Sequence, residues 1–283
     1  MAVGRNFDVA LGHGVNTLTG DGTVGLTAGG HFLYAGGLNA DVVDFQDAAA
    51  NPLVSVTGSL VLRGGRGVGG ANDFSFSRLT VGRNAVIYGG LDADRVDIDG
   101  DASITRSMGL HLGGGANTAT VGYQTKPVTV GGNLTYAGGA GDDVFSAGAT
   151  TVTRHLIVKL GAATGQGQKL LLGEAAAVFA GGNQVTLPPV NVGGNAVLRG
   201  GNGVDRFQLD YFTVQGRLTV ATGNGDDTIT ASRATVTGRT NIYLGSGRDS
   251  FVADRRSAPS SRASSRLAGW TLRKSSGWSI SGC

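Results

Sequence analysis

The chain has 283 residues, of which 51 are glycine and 5 proline, against an average glycine usage of about 7 per cent. Glycine does not recur at every third residue, which excludes collagen, and 40 per cent apolar with only 15 per cent charged residues excludes a disordered chain. The formal charge of +3 is concentrated at the end: residues 255–283 hold six Arg or Lys and no acid, while residues 1–254 hold 17 bases and 20 acids.

A main body of net negative charge gives no reason to expect a nucleic-acid partner. Nineteen of the 20 acids are Asp, Glu174 being the exception, which suits turns over helices. The single cysteine, Cys283, permits no intrachain disulfide. No run approaches membrane-spanning length.

In chain order, Val3-Gly4-Arg5-Asn6 already matches Val81-Gly82-Arg83-Asn84, so Met1 opens almost inside a repeat. The expectation is a segment of a longer repeat protein, and MAVGRNFDVALGHG does not read as a secretion signal. Repeat starts follow at Ala28, Val56, Val81, Ile104, Val130 and Val152, with intervals of 22 to 28 residues. Asp92, Asp94, Asp97, Asp99 and Asp101 form an acidic cluster that could supply paired acids, or serve turn and edge solubility. The stretch of about 161–190 is irregular and contains Lys169 and Glu174. It has room for a degenerate copy or a loop, and LLLGEAAAVFA suggests a helical excursion.

Beyond it three copies keep one register: Val192, Val214 and Val236; Leu198, Val220 and Ile242; Asp205, Asp227 and Asp249; Phe207, Ile229 and Phe251 all step by 22. Within a copy apolar residues alternate, as in strands, around a Gly-Asn-Gly-Asp corner. A unit of about 22 residues predicts one coil of a right-handed parallel β-helix, all-β, of about 10–11 coils over residues 1–254. Residues 255–283, rich in Ser and Arg and holding Trp270 and Trp278, are a different kind of sequence. They are expected to be a disordered basic tail, the sharper reading being a segment that covers the last coil.

Two corners match the pattern G-G-x-G-x-D-x-apolar-x: Gly138-Gly139-Ala140-Gly141-Asp142-Asp143-Val144-Phe145-Ser146 and Gly200-Gly201-Asn202-Gly203-Val204-Asp205-Arg206-Phe207-Gln208. TGNGDDTIT (222–230) and LGSGRDSFV (244–252) lack only the first glycine. These corners resemble the hemolysin-type calcium-binding (RTX) repeats, with the departure that one motif sits in each long coil instead of two nonapeptides per turn. The resemblance implies calcium held by Asp143, Asp205, Asp227 and Asp249. The residues equally allow each Asp to fix its own corner by accepting amide hydrogen bonds, and Asn16, Asp41, Asp94 and Asn117 at the equivalent site suit that role.

His13, His31, His111 and His155 are scattered without ligand spacing, and no catalytic set assembles. The reading is a structural or adhesive segment of a bacterial exported or cell-surface repeat protein, non-enzymatic and needing no cofactor. Glycans or cell-surface components are its expected partners, and end-to-end self-association is open to it. A calcium module that folds on export and a polysaccharide-acting β-helix enzyme are the alternatives.

Overall fold

Along Leu60–Arg63 the side chains of Leu60 and Leu62 are fully buried and Arg63 is exposed, the period-two pattern of a strand with one face in a core. This pattern recurs in every winding. The structure, a computed structural model, describes residues 1–20, 25–46, 53–66, 69–122, 127–163, 167–173 and 189–253. It also describes the strands Phe179–Ala180, Asn183–Gln184, Trp270–Lys274 and Trp278–Ile280.

Three parallel sheets form the walls. Among the described residues the first sheet has ten strands, from Ala2–Val3 to Thr235–Val236, and the second and third have eleven each, beginning at Phe7–Ala10 and Asn16–Thr19. Each strand pairs in parallel with its counterpart one winding on, which makes a three-sided parallel β-solenoid of about nine coils. The expected ten or eleven coils correspond to strand rows; ten rows in the first sheet enclose nine complete turns.

The repeat starts read from the sequence lie directly over one another in the first sheet: Val3 on Ala28, Ala28 on Val56, Val56 on Val81, and so on to Val214 on Val236. Stacking puts like over like. Phe45 and Phe76 lie nearly parallel, centroids 5.9 Å apart, and the inward column through Leu60, Ala85, Met108 and Leu134 is buried throughout. Each buried Val, Leu or Phe contributes about 1.5–3 kcal/mol, and since each coil buries its row only against neighbours, stability is a property of the stack.

Val152 pairs with Val192 directly, so the wide interval holds no extra coil. Lys169–Leu172 is an ordinary third-sheet strand between Val144–Ala147 and Arg206–Asp210. The helical expectation is corrected here: Leu170 and Leu172 are buried strand residues, and Phe179–Ala180 pairs antiparallel with Asn183–Gln184, while residues 174–178 lie outside the described residues. Pairing on both edges overrides the local helix propensity of the leucines. Trp270–Lys274 and Trp278–Ile280 add strands to the second and third sheets after Thr240–Gly245 and Asp249–Ala253. The expectation of a disordered tail otherwise falls on residues outside the described ones. No described helix is long and apolar enough to cross a membrane.

Candidate functional site

The second corner, between the second and third sheets, carries the aspartates singled out by the sequence. Its column runs through Asn16, Asp41, Asn72, Asp94, Asn117, Asp143, Gln168, Asp205, Asp227 and Asp249. All but Asn16 are at most 4 per cent exposed. The side chains point inward and latch one coil to the next. The backbone N–H of Asn72 donates to Asp94 Oδ1 at 2.9 Å, that of Asp94 to Asn117 Oδ1 at 2.9 Å, and that of Asn117 to Asp143 Oδ1 at 3.0 Å. The same bond joins Asp205 to Asp227 at 2.8 Å and Asp227 to Asp249 at 3.1 Å. Asn72 and Asn117 add a second bond, each side-chain N–H₂ donating to the following carboxylate at 2.7 and 2.8 Å.

The glycine motif follows from this inward turn. Five residues before Asp41, Asp94, Asp143 and Asp205 stand Gly36, Gly89, Gly138 and Gly200, and a Cβ on any of them would run into the aspartate's own carboxylate. With that space open, Oδ2 of Asp94 accepts from the Gly90 N–H at 2.6 Å and that of Asp205 from Gly201 at 2.9 Å. The third glycine of the motif sits at positive φ, 130° at Gly141 and 135° at Gly225, where a Cβ would meet the carbonyl of the corner beneath. Each glycine of the pattern thus has a packing role.

Burial pushes Asp143 and Asp205 up to about 6, and Asp227 adds to the rise at Asp205. Burial likewise raises Asp94 and Asp227. Oδ2 of Asp41, Asp143 and Asp227 has no hydrogen-bond partner among the described residues, nor has the side chain of Gln168. Tyr34 and Tyr136, each seven residues before an aspartate of the column, are buried and held well above the usual tyrosine range by that burial and by Asp41 and Asp143 respectively.

Calcium takes six to eight oxygen ligands. A winding offers at most one carboxylate of this column, its Oδ1 already bonded to an amide, and among the described residues no three His, Cys, Asp or Glu side chains could jointly hold a metal. The donor set falls short of a calcium cage as it stands.

The acidic cluster is split by the fold. Asp94 is in the core, Asp92 accepts from the Gly69 and Gly70 amides at 2.6 and 2.8 Å, and Asp97 lies outside, paired at 2.8 Å with Arg95. Two histidines serve a second ladder at the first corner, between the first and second sheets. Ser59 N–H donates to His31 Nδ1 and Asn195 N–H to His155 Nδ1, both at 2.9 Å. Asn6, Asn84, Asn133 and Asn195 accept equivalent bonds from the next winding. His111 stacks on Tyr88 outside the second sheet, and His13 is exposed. A cavity of about 150 Å³ is lined by Met1, Phe7, Leu18, Leu26, Phe45 and small neighbours, with no carboxylate or imidazole.

Sequence reasoning aligned Asp41, Asp94, Asn117 and the later aspartates correctly. It missed Asn72 and Gln168, because insertions lengthen the five-residue step from the preceding inward position to eight. No family model matches this chain, and no curated protein or solved structure does.

Proposed function

We propose that the chain is a rigid, non-enzymatic rod, a spacer or adhesive stalk of an exported or cell-surface repeat protein. One observation carries this reading: the corner aspartates that looked functional in the sequence are spent on latching coil to coil, not gathered around a cavity. The surface placement rests on the corner resemblance to exported repeat proteins. With strands spaced by about 4.8 Å, a rod loses that length for each coil removed. Deleting the 22-residue unit 215–236, or duplicating it, should change the maximum dimension in small-angle scattering by about 5 Å with unchanged β-sheet circular dichroism. Collapse of the fold on deletion, or hydrolysis of polysaccharides by the intact chain, would sink it.

A second reading, a calcium-dependent module, draws on the unpartnered Oδ2 atoms of Asp143 and Asp227. Its ligands would be Asp143, Asp205, Asp227 and Asp249, turned outward. Melting the protein with calcium and with EDTA separates the two: the rod reading expects equal midpoints and no bound metal.

A further inference from the structure

Along the chain the charges look mixed; around the coil they are sorted. The segments that run from each first-sheet strand through the first corner to the end of the second-sheet strand contain ten Lys or Arg and one acid, Asp8. The remaining segments of residues 1–254 contain seven bases and nineteen acids. At the first corner every winding has a three-residue turn, and these turns hold six arginines, two histidines and no acid. Arg5, Arg83, Arg106, Arg154, Arg217 and Arg239 are all exposed. Beside this ridge, one outward row of the second sheet aligns Arg63, Tyr88, His111, Ala137, Lys159 and Arg199. The Arg63 guanidinium lies 5.3 Å from the Tyr88 ring centre, and the Tyr88 and His111 rings stack at 5.4 Å. On the other flank, the outward row of the first sheet reads Thr27, Ser55, Thr80, Ser103, Thr129, Thr151, uncharged and rich in hydroxyls. Arg95 pairs with Asp73 and Asp97 on the opposite side.

We infer that this basic side is a binding face for a linear acidic polysaccharide, laid along the rod axis. This rests on the rod reading, whose straight stack holds the bases in line. Ten bases over ten first-sheet strands give on average one per winding of about 4.8 Å, sparser than the charge spacing of about 3.4 Å along a nucleic-acid strand. That spacing suits a polymer with one carboxylate or sulfate per sugar ring. The hydroxyl row is the kind of surface that sugar hydroxyls use. A second copy is a poorer occupant: the acids that reach solvent on the rod's other side, from Asp44 and Asp73 to Asp142, Asp210 and Asp226, are interleaved with the exposed bases Arg66, Arg95, Arg206, Arg233 and Arg248, so that side is mixed in charge where an acidic polymer is uniform.

The test uses the full chain and four probes at low salt: polygalacturonate, neutral dextran, oligothymidylate and phosphatidylserine vesicles. Polygalacturonate should bind and dextran should not, and the salt dependence should drop by about 0.7 per neutralised base. The triple variant Arg106→Ala, Arg154→Ala, Lys159→Ala should weaken binding at least tenfold. Arg206→Ala with Arg248→Ala, on the other side, and Arg255, Arg256, Arg262 and Arg266 all changed to Ser, in the tail, should each change it less than threefold. No binding of polygalacturonate, equal loss in the other-side pair, loss only in the tail variant, or tighter binding of oligothymidylate or vesicles would overturn the inference. Scattering on the same samples reports the rod separately: an intact rod without binding refutes this face alone, and a lost rod refutes the reading beneath it.

Discussion

The second-corner column is built differently in its two halves. From Asp41 to Asp205 a carboxylate alternates with an amide: Asp41, Asn72, Asp94, Asn117, Asp143, Gln168, Asp205. After that come Asp227 and Asp249, so three carboxylates stand in successive windings. In the first half a neutral amide separates each pair of charges, and Asn72 and Asn117 each donate an extra N–H to the next one; in the second half the charges face one another over one coil spacing. The stretch with the most regular sequence repeat is therefore the one with the least favourable electrostatics. Repetition of letters and optimisation of the stack are separate properties.

The largest effect should come from breaking the alternating half. Asp94→Ala strips the acceptor from the Asn72 and Gly90 amides, buried donors whose loss costs about 1–3 kcal/mol each. The urea midpoint should fall by an amount corresponding to about 3–5 kcal/mol, or the first windings should melt separately. A drop under 1 kcal/mol would show that water satisfies the column.

Acid sharpens the comparison next. Asp143 and Asp205 titrate near 6 in the fold, against about 3.9 in the unfolded chain. Their contribution to stability is thus complete below the unfolded value and lost as pH rises through 6. Melting midpoints should increase between pH 7 and pH 5. The measurement belongs in a His31→Asn, His155→Asn background, where asparagine supplies the first-corner acceptors.

Charge swaps in the two halves should then act with opposite sign. Asp227→Asn restores alternation and should stabilise the protein by about 1–2 kcal/mol at pH 7, with Asn donating to Asp249 as Asn72 does to Asp94. Asn117→Asp should destabilise by a similar amount, since it sets Asp94, a new carboxylate and Asp143 in succession. Both effects should shrink as the pH falls, because burial raises Asp94, Asp143, Asp205 and Asp227. The smallest effect is at the first corner: His155→Ala should cost about 1 kcal/mol, and His155→Asn less than half of that, because asparagine already fills that column elsewhere.

Much of the fold was legible because it depends on spacing. The starts from Val3 to Val236 stack as the 22-residue step requires, and strand alternation needs no tertiary information. The direction of the aspartates was not legible. Asp205 follows a corner whether it faces solvent, a cation or the amide of the coil before it, and only the clash at Gly200 reveals which. Charge sorting was hidden for a related reason: Arg154 and Asp143 are close in sequence, yet belong to different corners. Tabulating charges by position within the coil, instead of along the chain, would have exposed the basic side.

The two ladders run in opposite senses. At the first corner an earlier side chain receives the amide of the later winding, as Asn133 receives His155; at the second, a later side chain receives the amide of the earlier winding, as Asp94 receives Asn72. A chain emerging from its amino end therefore presents each arriving turn with a waiting hook on one edge and a waiting eye on the other. The stack thus has a direction: its carboxyl end shows acceptors at one corner and donors at the other, and its amino end shows the reverse.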